Sequence, residues 1–154
     1  MGCQGEIYCV LGKRFPVTRV NKLEELDRGD PQELLYRLNG RVISISEDRP
    51  KEEYQFLDGF AGFEIPKDLS GSVLGVKVLG VDHEIGDNTF GRPIEALVGY
   101  ALANESYATH ASPLPPMSEI AKLKPRLLED IRSHLGLEVS LNELELHLLY
   151  EFAQ

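Results

Sequence analysis

The apolar patterning of this chain changes near its middle, and that change limits the folds open to it. Before residue 82 the apolar residues fall in short, strand-like runs; after residue 92 they fall mostly at helical spacing. Glu6–Val10 and Phe15–Val20 are rich in strand formers, with Lys13-Arg14 placed to turn the chain between them. Arg41–Ser46 alternates Val42, Ile43 and Ile45 with serines. Tyr54–Phe63 reads as strand pieces broken at Asp58-Gly59 and Gly62. Ser72–Val81 is apolar on both faces apart from Lys77, which predicts a central strand.

Helical signals begin at Asp30-Pro31. Asp30 suits an N-cap, Pro31 the first helical position, and Leu34, Leu35 and Leu38 an apolar stripe that Gly40 would end, predicting a helix over 31–39. In the segment 93–104, Ile94, Leu97, Val98, Ala101 and Leu102 fill the helix template, although Val98 and Tyr100 also suit a strand and Gly99 costs a helix about 1 kcal/mol. Pro113, Pro115 and Pro116 mark a linker at 112–117 leading to a C-terminal helical element. Pro125 then favours a short turn at 119–123 and a separate helix at 125–135, with Leu127, Leu128, Ile131 and Leu135 inward and Gly136 as its stop. The tail satisfies two patterns. Ser140 and Glu143 form a capping box before Leu144, Leu148, Leu149 and Phe152, which favours helix over 141–152; Leu144, Leu146, Leu148, Tyr150 and Phe152 alternate as a strand would.

Strands early and helices late predict an α+β domain spanning 1–154, a mostly antiparallel sheet from the N-terminal half with helices packed on one side. The 154 residues suffice for one hydrophobic core without staples. The five-residue gap between Cys3 and Cys9 fits neither a redox nor a zinc motif, so two reduced thiols and a cytoplasmic location are expected. No apolar run is long enough to span a membrane, and the N-terminus has no basic region followed by an apolar stretch.

The formal charge of −9 is unevenly placed. Residues 1–77 hold 11 basic against 13 acidic side chains; residues 78–154 hold 5 against 12. From Leu137 onward there is no Lys or Arg, while Glu138, Glu143, Glu145 and Glu151 are acidic. Such a field repels phosphate backbones, so direct nucleic-acid binding is not expected, and it attracts basic protein surfaces. An acidic interaction or inhibitory module, with these four glutamates as its footprint, is the first functional expectation; solubility alone is the plainer account of the same charge.

Chemistry-bearing residues concentrate in Asp82-His83-Glu84-Ile85-Gly86-Asp87, after the run expected to be a central strand. His83 and Asp87, with His110 beyond, define an alternative: a small general-base or metal-assisted enzyme. A divalent transition metal would draw on Asp82, His83, Glu84 and Asp87. Neighbours in an extended chain point to opposite sides, so this needs a turn, which Gly86 could supply. A polar loop bonding its own backbone accounts for the same residues, and no cofactor is then required. No nucleophile elbow, phosphate loop or dinucleotide fingerprint occurs. The aromatic group Tyr54, Phe56, Phe60 and Phe63 fits core packing as well as a binding surface.

Overall fold

The computed structural model describes residues 4–19, 35–44, 63–79, 93–106 and 113–153. Within them the fold is α+β: an antiparallel sheet with a helix packed on one face. Its strands are β1 (Gln4–Arg19), β2 (Leu35–Leu38), β3 (Arg41–Ser44), β4 (Gly75–Val78), β5 (Pro93–Ser106) and β6 (Glu145–Ala153). The helix is α1 (Met117–Leu135), and short 3₁₀ turns lie at Leu69–Gly71 and Leu141–Glu143. Strand order is β3-β2-β1-β5-β4, and β6 pairs with the first half of β1.

The centre of the sheet is the long β1–β5 pair, and both strands differ from the sequence expectation. β1 runs unbroken for 16 residues, with no turn at Lys13-Arg14. Those cations project from the strand instead: Lys13 Nζ lies 3.4 Å from Glu143 and Arg14 3.6 Å from Glu95. β5 is a strand, not the expected helix. Ala96, Leu97, Val98, Tyr100, Ala101 and Leu102 are all buried, so the apolar run serves two buried faces, and its match to the helical period follows from continuity rather than from one stripe. The register sets Gly12 opposite Gly99. A Cβ on Gly12 would lie 2.0 Å from the Val98 carbonyl oxygen, and one on Gly99 2.1 Å from that of Leu11. Only facing glycines permit so close an approach. A register shift between Cys9 and Val10 bends the pair further.

The helix expected over 31–39 is corrected at its C-terminal half: Leu35–Leu38 is β2, paired with β3 through the two-residue turn Asn39-Gly40. Both turn residues have positive φ, 49° and 77°, the geometry for which Asn-Gly is suited. Tyr36 and Leu38 point into the core at strand spacing. β4 occupies the end of the described strand order, not its centre, and pairs only with β5 among the described residues.

α1 is continuous through Pro125, contrary to the expected break. Ile120, Leu123, Leu127, Ile131 and Leu135 form one buried stripe, each contributing about 1.5–3 kcal/mol of apolar burial. Pro125 and Ala121 are exposed, so the Ala121 carbonyl that loses its helical donor faces water. Gly136 closes the helix in left-handed geometry, its N–H donating to Arg132 O at 2.9 Å. Asn39 Nδ2 donates to the Leu135 carbonyl at 2.6 Å, tying the β2–β3 turn to the helix end. On the other flank, the buried Tyr100 hydroxyl donates to Asp130, and Arg126 lies 5.5 Å from the Tyr100 ring centroid. Arg126 also donates to the carbonyls of Ser70 and Ser72, at 2.6 Å each, fastening the 69–71 turn to the helix. Burial, then the Asp130 carboxylate, pushes the Tyr100 phenol well above its ordinary value.

Candidate functional site

The tail that satisfied two patterns resolves into one turn and one strand, correcting the helix expected over 141–152. The capping box is real: Ser140 N–H donates to Glu143 Oε1 at 2.9 Å. It caps only the 3₁₀ turn, after which β6 pairs antiparallel with β1 from Glu145↔Gly12 to Ala153↔Gln4. Strand geometry sorts the tail onto two faces. Leu144, Leu146, Leu148 and Tyr150 share the face that carries Leu11 and the helix-covered core. Leu149 faces the opposite side and packs with Val10 and Leu97.

Leu144 is buried within the core, but the residues beyond it emerge from it. Leu146 is 40% exposed, Leu148 81% and Tyr150 58%. Ile7, directly opposite Tyr150, is 41% exposed. Four large apolar side chains thus form a strip on the sheet face that α1 leaves uncovered. Single exposed apolar residues are ordinary; here three lie on one face of β6 and a fourth directly across from it on β1.

Glutamates precede and follow this run along β6, at the other parity of the strand. Glu145 is exposed at the start of β6. At its far end Glu151 is in register with Glu6, two acids directly opposite each other. Tyr8 OH donates to Glu6 Oε2 at 2.8 Å. Glu138 is exposed between α1 and the turn. Glu143 differs from the rest of the expected footprint because its carboxylate is engaged within the fold. Ser140 N–H and then Lys13 hold its carboxyl below the usual range.

Beside the start of β6 lies a cleft of about 400 Å³ lined by Lys13, Arg14, Glu95, Glu143, Glu145 and His147. It adjoins the stretch of β1 between Gly12, the last residue paired to β6, and Thr18, the first paired to β2. Pro16, which lacks an N–H, falls in that stretch. His147 Nε2–H donates to the Gly12 carbonyl at 3.2 Å. Acidic and basic side chains both line the cleft, and Lys13–Glu143 and Arg14–Glu95 are paired there, so it offers no single-sign field to a charged ligand.

Asp82, His83, Glu84, Asp87 and His110 lie outside the described residues, as do Cys3 and the aromatics before Phe63. Among the described residues no group of three or more His, Cys, Asp or Glu side chains is placed to hold a metal. His134 is exposed in the last turn of α1. Cys9 is buried in β1, and burial pushes its thiol up, away from nucleophilic reactivity. No helix among the described residues is long and apolar enough to cross a membrane. The strip Ile7, Leu146, Leu148 and Tyr150 did not figure among the sequence candidates; its only signal was the strand alternation of the tail. No protein-family profile matches the chain, and no curated protein or solved structure matches it either.

Proposed function

We propose that this protein is an acidic interaction module that binds a basic protein surface through β6 and its flanks. One observation carries the reading: a strand built into the sheet exposes Leu146, Leu148 and Tyr150 on one face, with Glu145 exposed at its start on the other parity. An apolar centre with a charged rim is the anatomy of protein–protein interfaces. The tail from Leu137 onward supplies acidic side chains and no Lys or Arg, which favours basic partners and speeds their encounter. An inhibitory role follows where the bound surface is itself a functional site of the partner.

The test is affinity capture from source-cell extract at low ionic strength, with each captured protein identified and its binding to the purified chain measured. The reading predicts a basic partner released by added salt and lost with Glu138→Lys plus Glu145→Lys. Those two positions avoid Glu143, whose reversal would also undo the cap. A specific partner bound equally well by the double variant contradicts the reading.

A further inference from the structure

β6 constrains the occupant of this surface more narrowly than charge alone. Resting on the interaction module proposed above, we infer that the partner contributes an extended segment that adds as a strand along the outer edge of β6. That segment carries Lys or Arg at its two ends and apolar residues at alternate positions between them.

The register of β6 supplies the argument. Its only strand partner among the described residues is β1. Strand addition uses the backbone donors and acceptors of an edge, here the one turned away from β1. On one face of β6 stand Leu146, Leu148 and Tyr150, all exposed. Glu145 and Glu151 occupy the other parity, one at each end of this apolar trio. A strand laid beside β6 meets these residues in order, so a seven-residue segment has a basic residue opposite each glutamate and an apolar residue opposite Tyr150, Leu148 and Leu146. The pattern is palindromic and serves either strand direction. Opposite charges across a strand pair are favourable and like charges are not.

The same arithmetic disfavours a second copy of this chain. The segment from Leu137 to Gln154 holds four glutamates and no Lys or Arg, so self-association through β6 would bring two such acidic segments together.

The experiment titrates a fluorescent peptide, Lys-Val-Thr-Val-Thr-Val-Lys, against the full chain by anisotropy. Saturable binding is expected, weakened at least about tenfold when both lysines are replaced by glutamate. Glu145→Lys should weaken the lysine peptide and strengthen the glutamate one, while Leu148→Arg should abolish binding of both. Both substituted residues are exposed, and circular dichroism confirms that each variant folds. N-methylation of the peptide should block binding at alternate residues only, because alternate N–H groups face the neighbouring strand. Equal binding of a peptide with its residues scrambled, or indifference to N-methylation at every position, overturns strand addition. So does a sedimentation dimer that Leu148→Arg dissociates, since a second copy would then fill the edge. A basic protein that needs Leu148 and Glu145 but is not displaced by the lysine peptide overturns this inference alone, and leaves the interaction module standing.

Discussion

Leu11 and Leu146 are direct cross-strand neighbours on the same face of one sheet, yet Leu11 is buried and Leu146 is 40% exposed. The difference between them is α1. Over β1, β5 and β2 the helix sets five apolar side chains against Leu11, Phe15, Tyr36, Leu38, Val98 and Tyr100. Along β6 the same face continues through Leu146, Leu148 and Tyr150 without that cover. One half of the face therefore stabilises the fold, while the other retains apolar side chains that contribute little to it. Side chains of one chemistry, set by one strand alternation, are buried where the helix-centred core reaches them and exposed beyond it.

This division predicts very different sensitivities to substitution. The largest effect belongs to the β1–β5 crossing beneath the helix. Gly99→Ala drives a methyl into the Leu11 carbonyl, and denaturant unfolding should show a loss of about 4 kcal/mol or a chain that no longer folds. A loss below about 1 kcal/mol would mean that the two backbones part easily. Next is the covered face itself: Leu127→Ala empties a fully buried site on α1 and should cost about 3 kcal/mol.

A smaller effect appears at alkaline pH. The folded protein holds the Tyr100 proton more tightly than the unfolded chain does. The stability that follows from this difference is complete below the ordinary tyrosine value of about 10 and is lost as pH climbs through the raised folded value. Tyr100→Phe should therefore show a shallower fall in stability above that point, measured by urea unfolding across a pH series. Identical profiles would remove the phenol–Asp130 contact from the account of how the helix is fastened.

How much of this was legible in the sequence depended on how many faces each segment buries. The α+β class, the inward residues Leu127, Ile131 and Leu135, and the stop at Gly136 were readable because α1 buries a single stripe and closes with a left-handed glycine. β5 was misread because a strand buried on both faces produces a continuous apolar run, and a continuous run matches the helical period as readily as any other. Gly99 was the discordant residue there, and its reason lay in Gly12, 87 positions away in the chain. At 35–38 the leucine spacing outweighed Asn39-Gly40, although that dipeptide between apolar runs is a strong hairpin signal. In the tail the capping box was genuine but governed a single turn. The acidic footprint could be read as composition. The strip beside it could not, because exposure of Leu148 depends on where α1 lies, which local sequence does not encode.

The central proposal is that the exposed β6 strip binds a partner, and Leu148→Arg tests it most directly. Equilibrium unfolding of this variant, measured beside its binding to the captured partner, separates the two roles. The account predicts stability within about 0.5 kcal/mol of the parent chain together with loss of binding. A destabilisation of about 2 kcal/mol or more would contradict it, because the strip would then belong to the protein's own core.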